Sequence, residues 1–257
     1  MSNKQTGNSD SQHKVEIRKL IFVSIIIVIL LFTLYVLTQK DQPLKSYDKK
    51  EGNVYTLLEI SDEDFLNKIR FGKTSEIQQM LSSGANVKAA DNKGQNAFTV
   101  AAIFNGKPEV ARILKQGGVD INAKDSSGYT PLMKAILAGG NSTPFVKELI
   151  KLGADVNLTT NLGTSTLSVA AGSSSDEEII EALIKAGADV NYKNKDGSTP
   201  IIIAAKINTN PKVIESLLNH GAKASRKELG RSAYSLAISN PSLAGNEKLI
   251  NRLRKLA

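Results

Sequence analysis

Cysteine and tryptophan are absent from this sequence of 257 residues, and histidine occurs only twice, as His13 and His220. The lack of cysteine excludes disulfides, thiolate metal sites and lipid attachment through a cysteine. No serine or histidine stands in a spacing typical of a hydrolase or a metalloprotease. The low aromatic share of 5% predicts cores of leucine, isoleucine, valine and alanine. We therefore predict a folded protein that is not an enzyme and has no cofactor or metal site.

Positive charge is in excess, with 33 Lys and Arg against 25 Asp and Glu. The last residues are especially basic and include Arg252, Arg254 and Lys255. A basic end attracts nucleic acid or anionic lipid, but no aromatic residues are interleaved there for base stacking. We interpret this end as a solvated cap and predict no nucleic-acid partner. An enzyme or an anionic-ligand binder that uses this cap is an alternative.

One long apolar run precedes the rest of the chain. Residues 20–38 carry no charge, and nineteen helical residues rise about 28 Å, close to the hydrocarbon thickness of a bilayer. No small-residue cleavage site follows, so the run predicts a retained transmembrane helix between a short segment, 1–19, and a flexible linker, 39–58. A basic pair before the run favours a single-pass inner (plasma) membrane protein, with a cytoplasmic N-terminus and residues 59–257 in the periplasm or outside the cell.

Two series of glycines recur through the rest of the chain. Members of the first series are 34 or 35 residues apart: Gly84, Gly118, Gly153, Gly187 and Gly221. Members of the second series follow by ten residues, or by nine in the last copy: Gly94, Gly128, Gly163, Gly197 and Gly230. A fixed period of this length predicts a solenoid, in which each unit is stable only against its neighbours.

The copy at 187–222 shows what each part of a unit does. Thr199 and Pro200 predict the start of a first helix, with the threonine as N-cap and the proline at the first helical position. A break at 208–211 separates it from a second helix, which Gly221 ends in a left-handed conformation. The stretch that follows predicts a hairpin-like turn.

The other copies repeat this pattern, with openings such as GYTPLMKAI at 128–136 and GTSTLSVAA at 163–171 and closings such as LIKAGADVN. These residues resemble the ankyrin repeat. The resemblance covers about Ser61 to the C-terminus and implies an all-α solenoid of about six helix-turn-helix units with β-hairpin fingers. The family's histidine is replaced in every copy, by Thr99, Met133, Ser168, Ile202 and Ser235. Its hydrogen bonds to the neighbouring loop must therefore be made otherwise or lost.

The resemblance also implies where a partner binds, on the concave face and the finger tips. Positions that the repeat pattern leaves free are the candidate protein-binding residues: Lys93, Phe104, Ser127, Tyr129, Asn161, Leu162, Lys193 and Lys195. Tyr129, Leu162 and Phe104 are the predicted anchors, because they are large where the fold does not demand it. Ordinary packing against the adjacent repeat is the alternative for each of them.

A repeat array on a retained anchor, without a catalytic constellation, predicts a membrane-tethered protein-binding module. We expect a monomer that holds or inhibits a protein partner at the membrane, such as a toxin or an envelope protein. A specific form is a bacterial immunity protein that neutralises a secreted toxin such as a phospholipase. A secreted bacterial effector that acts on host proteins is the alternative function.

Overall fold

Short helices alternate with tight loops in the computed structural model, which describes residues 60–140, 142–173, 176–224, 227–228 and 231–257. The helices are α1 (Asp62–Phe71), α2 (Thr74–Ser82), α3 (Ala97–Phe104), α4 (Pro108–Gln116), α5 (Pro131–Ala138), α6 (Thr143–Lys151), α7 (Thr166–Ser173), α8 (Glu177–Lys185), α9 (Pro200–Ile207), α10 (Pro211–Asn219), α11 (Ala233–Ser239), α12 (Pro241–Ala244) and α13 (Glu247–Leu256). A two-residue antiparallel pair, β1 (Lys227–Glu228) and β2 (Arg231–Ser232), precedes α11.

The helices form two rows. The first helices of the units, α1, α3, α5, α7, α9 and α11, pack side by side in chain order, and the second helices, α2, α4, α6, α8 and α10, pack in a row of their own. Alanines inside the first helices, such as Ala101 and Ala204, are fully buried and let neighbouring helices approach closely. Equivalent helices of successive units thus pack on one another, which confirms the predicted all-α repeat solenoid.

Proline and a capping side chain start several of the first helices. Thr130 Oγ1 accepts a hydrogen bond from the Met133 amide at 3.3 Å, as an N-cap should. Thr199 stands at the corresponding position before Pro200, but its Oγ1 is buried without a hydrogen-bond partner among the described residues. The predicted cap bond of Thr199 is therefore wrong, and the fixed φ of Pro200 starts that helix.

Only one of the described replacements for the family's histidine reaches a neighbouring loop. Ser168 Oγ lies 3.1 Å from Oδ1 of Asn194 in the next loop and donates to it. Met133 and Ile202 are buried at their positions and replace a polar link with apolar packing. Thr99 Oγ1 is buried with no hydrogen-bond partner within the described ranges, so its polar link is lost.

Asparagine side chains supply other links between neighbouring units. Asn191 donates to the carbonyl of Gly221 at 3.1 Å and accepts from the Lys223 amide at 2.9 Å. Asn208, which is buried, donates to the carbonyl of Ala171 at the end of the preceding first helix, at 2.8 Å. The bond from Asn208 satisfies one of the last carbonyls of a helix, which the helix itself leaves free, and those of Asn191 satisfy backbone groups in the loop after α10. Amide side chains thus do part of what the family's histidine does.

The predicted localisation in a membrane is contradicted. No helix in the described part of the chain is long and apolar enough to span a bilayer. The longest, α1 and α13, have ten residues each and rise only about 15 Å, half of a bilayer's hydrocarbon core. The predicted spanning run, 20–38, and its neighbours, 1–19 and 39–58, lie outside the described residues, so that division stays a prediction.

Candidate protein-binding surface

Four loops lead into the first helices, and we call them the tip loops: residues 90–96, 124–130, 159–165 and 193–199. Their turns are set by side chains and glycines. Asp91 Oδ1 accepts hydrogen bonds from the amides of Lys93 and Gln95 at 2.9 and 3.0 Å, and Gly94 follows with φ +72°. Asp125 makes the same two bonds in the next loop. The residues between the aspartate and the glycine are thereby held at the outer end of these two loops.

Hydrogen bonds join each tip loop to the next. The amide and Oγ of Ser126 donate to the Lys93 carbonyl at 3.0 and 2.7 Å. Asn161 donates its amide to the Ser127 carbonyl at 3.2 Å and its Nδ2 to the Ser126 carbonyl at 3.0 Å. Lys195 Nζ donates to the Asn161 carbonyl at 2.8 Å. The four loops are therefore held side by side, in chain order, by hydrogen bonds.

Six of the eight predicted binding residues have exposed side chains in the tip loops: Lys93, Ser127, Asn161, Leu162, Lys193 and Lys195. Leu162 is 78% exposed and is the most open apolar side chain of the row. Tyr129 differs, since it is only partly exposed and packs against the core. The ammonium of Lys134 lies 4.6 Å from the centre of its ring. The structure therefore places Tyr129 in the packing of the loop.

An ion pair lies beneath this tyrosine. Lys134 Nζ and Asp125 Oδ2 are 2.9 Å apart, and the Asp125 side chain is only 4% exposed. Burial by itself raises the pKa of this carboxyl, but the hydrogen bond from Lys134 and those from the amides of Tyr129 and Ser127 outweigh it. The pKa of Asp125 is thus lower than usual, and the carboxylate that shapes the turn stays charged at neutral pH.

A second row of apolar side chains lies at the C-terminal ends of the first helices, and we call it the helix-end row. Its members are 44–81% exposed: Phe71, Phe104, Leu137, Ile207 and Ile238. They make up five of the seven large apolar side chains that are exposed in the described part of the chain. Because successive first helices pack on one another, the helix ends that carry these side chains follow one another along the array, and Phe104 and Ile207 stand at the same position of their helices.

The helix-end row contains Phe104, which the sequence predicts, and Phe71, which it did not single out. Phe71, Phe104 and Leu137 are spaced by 33 residues, one fewer than the shorter glycine spacing of 34, so a search near that spacing could have indicated Phe71. The guanidinium of Arg70 lies 5.6 Å from the Phe104 ring centre and covers part of it. At α7 the row is interrupted by Gly172, whose missing side chain leaves room for Ile207, with Cδ1 3.2 Å from where a Cβ would stand.

Neither row contains a metal site, since no group of three or more His, Cys, Asp or Glu in the described ranges is arranged to hold an ion.

The sequence model for ankyrin repeats in three copies matches residues 66–160 and 167–256. The chain is an ankyrin-repeat protein. The family's fold serves protein–protein interaction, which makes this chain a protein-interaction module.

Several curated proteins are similar to parts of this ankyrin array. Delta-latroinsectotoxin-Lt1a of Latrodectus tredecimguttatus is 37% identical over 97 residues, which are 37% of this chain and 8% of that protein. Ankyrin repeat and SOCS box protein 6 of Mus musculus is 26% identical over 155 residues, 55% of this chain and 37% of that protein. E3 ubiquitin-protein ligase KEG of Arabidopsis thaliana is 30% identical over 99 residues, 38% of this chain and 6% of the ligase. The chain spans well under two thirds of each relative, so the likeness concerns the repeats and not the activities in those names.

Proposed function

We propose that this ankyrin-repeat protein binds a protein partner across the helix-end row and the tip loops together. The observation that carries the proposal is the helix-end row, in which most of the exposed large apolar side chains of the described residues lie at the C-terminal ends of first helices. Apolar residues that are scattered singly on a surface need no explanation, whereas a set gathered at the ends of successive first helices favours an interaction site. Six first helices, from α1 to α11, also support the predicted count of six units, and the hairpin fingers stay a prediction.

The energetics explain why both rows are needed. Complete burial of a large apolar side chain contributes about 1.5–3 kcal/mol, and these side chains are about half exposed at the start. Five of them therefore contribute on the order of 5 kcal/mol. Association costs at least about 4 kcal/mol in lost freedom, and a micromolar complex needs about 8 kcal/mol net. The polar contacts and Leu162 of the tip loops must supply the remainder.

The test uses a charge placed inside the row and one placed outside it. Phe104→Asp changes a side chain that is 52% exposed within the helix-end row, and Leu256→Asp changes one that is 47% exposed at the end of α13. Partners are captured by crosslinking in the source cells and quantified by mass spectrometry. We expect Phe104→Asp to lose the partner that the wild type and Leu256→Asp retain. Equal capture by all three folded proteins contradicts the proposal.

Inhibition of a secreted toxin such as a phospholipase is a narrower form of this function and stays a prediction. It is supported by the breadth of the two rows, which is suited to covering another protein's surface. Co-expression with a toxin encoded beside this chain tests it. Protection by the wild type and by Leu256→Asp, but not by Phe104→Asp, is the expected result.

A further inference from the structure

The tip loops carry a surplus of positive charge. Their exposed charges are four lysines and one aspartate: Lys93, Lys124, Lys193, Lys195 and Asp196. The other two carboxylates of the loops, on Asp91 and Asp125, lie 3.7 Å from Arg70 and 2.9 Å from Lys134 and are neutralised there. The surface that a partner meets is therefore cationic.

Two of these lysines are held in place without being neutralised. Lys124 Nζ donates to the Thr159 carbonyl at 2.6 Å, and Lys195 Nζ donates to the Asn161 carbonyl at 2.8 Å. The stem of Lys195 lies across Gly163, with its Cγ 2.6 Å from where a Cβ would stand. A carbonyl accepts a hydrogen bond but carries no net charge, and each ammonium has two further donors. Both cations are thus oriented before a partner arrives, which lowers the entropy cost of binding them.

An apolar side chain lies between the cations. Leu162 stands in the third tip loop, which has no charged residue, and is 78% exposed. Lys93 and Lys124 lie in the two loops before it, and Lys193 and Lys195 lie in the loop after it. With about 10 Å between packed neighbours, the row from the first loop to the fourth spans about 30 Å, the length of a helix of about 20 residues.

We infer that the tip loops bind an acidic protein segment with an apolar centre, whose carboxylates face the lysines on either side of Leu162. The inference rests on the proposed function and names the chemistry of its partner. Nucleic acid fits this surface less well, because binding of single strands depends on stacking against exposed aromatic rings. The one aromatic ring of the described tip-loop residues, Tyr129, is partly buried beside Lys134.

The experiment uses the purified full chain and three fluorescent probes. The first is a 20-residue peptide with two central leucines and four glutamates on each side, the second has glutamine in place of each glutamate, and the third is a 20-nucleotide oligothymidine. Affinities are measured by fluorescence anisotropy at low and high salt. We expect the glutamate peptide to bind at least about tenfold more tightly than the glutamine peptide, with an affinity that falls as salt rises.

Matched variants locate the binding. The double charge reversal Lys93→Glu with Lys195→Glu should lower the affinity for the glutamate peptide at least about tenfold. Leu162→Ser should lower that affinity about fivefold. The control reversal, Lys115→Glu with Lys151→Glu, makes the same change in net charge at exposed ends of α4 and α6. It should leave the affinity within about twofold.

Several results overturn the inference. The inference fails if the glutamate peptide does not bind, or if the glutamine peptide or oligothymidine binds at least as tightly as the glutamate peptide. It also fails if the control reversal lowers the affinity as much as the reversal of Lys93 and Lys195 does. A natural partner that Phe104→Asp releases but Lys93→Glu with Lys195→Glu does not release overturns this inference alone and leaves the proposed function standing. A partner that neither change releases overturns the proposed function as well.

Discussion

Gly128 and Gly118 have the same backbone conformation but different surroundings, and this contrast gives a quantitative prediction. Their φ angles are +82° and +84°. A Cβ at Gly118 would meet nothing within 4 Å, whereas a Cβ at Gly128 would overlap the backbone nitrogen and Oδ1 of Asn161 in the next tip loop. The first glycine is needed only for its conformation, and the second is needed also for the close approach of two units.

The two alanine variants should therefore differ in their free energy of unfolding. A left-handed conformation costs a residue with a Cβ about 1–2 kcal/mol, which is the whole cost expected for Gly118→Ala. Gly128→Ala must also displace Asn161 and strain its two hydrogen bonds, to Ser127 at 3.2 Å and to Ser126 at 3.0 Å. At about 0.5–1.5 kcal/mol for each bond, the total for Gly128→Ala is about 2–5 kcal/mol.

Urea unfolding followed by circular dichroism measures both variants against the wild type. The reasoning is refuted if Gly128→Ala is no less stable than Gly118→Ala. Asn161→Ala provides a further check, because it removes the side chain that a Cβ at Gly128 would strike but keeps the backbone nitrogen. In that background the extra cost of Gly128→Ala should decrease without vanishing, which a double-mutant cycle detects.

Three further changes test contacts inside the array, each by the free energy of unfolding. Asp125→Asn keeps the acceptor oxygen of the turn but removes the charge that faces Lys134, so we expect a loss of about 1.5–3 kcal/mol at pH 7. Because the pKa of Asp125 is lowered in the folded state, this loss should shrink as the pH falls below about 3.9, the value for an unfolded chain, and a loss of the same size at pH 2 as at pH 7 contradicts it. Asn208→Ala leaves the Ala171 carbonyl without its 2.8 Å bond and should cost about 1–3 kcal/mol; an unchanged stability would mean that this bond contributes nothing. Thr99→Val removes a buried hydroxyl that has no partner in the described part of the chain and should stabilise by about 1 kcal/mol, so a destabilised variant would show that the hydroxyl is satisfied.

Features that depend on local chemistry could be predicted from the sequence. A glycine that ends a helix in the left-handed conformation needs no knowledge of the neighbouring unit, and Gly118, Gly153 and Gly187 all have φ near +85° to +95° in the structure. The proline at the first helical position is likewise a local signal, and Pro131 and Pro200 both begin helices as it indicates. The repeat period then extends these local features into a stacked array.

Features that depend on contacts between side chains of different helices, loops or units could not be predicted. Tyr129 looks like a free anchor in the sequence, but its ring lies beside the ammonium of Lys134, which the charge of Asp125 holds there. Phe104 is partly covered by Arg70 from the preceding unit. The exposed fraction of each ring depends on the cation that packs beside it. The residue type alone therefore does not determine which side chains remain available to a partner.

The backbone-to-backbone hydrogen bonds between the described tip loops run in one direction along the chain. Ser126 donates back to Lys93, and Asn161 in turn donates back to Ser127. The second tip loop thus presents a backbone donor, the Ser126 amide, towards the N-terminus and a backbone acceptor, the Ser127 carbonyl, towards the C-terminus. Duplication of a whole unit would leave every such junction matched, whereas an insertion of part of a unit would separate a donor from its acceptor. Growth of this protein by gene duplication is therefore compatible with its surface only in steps of one full repeat.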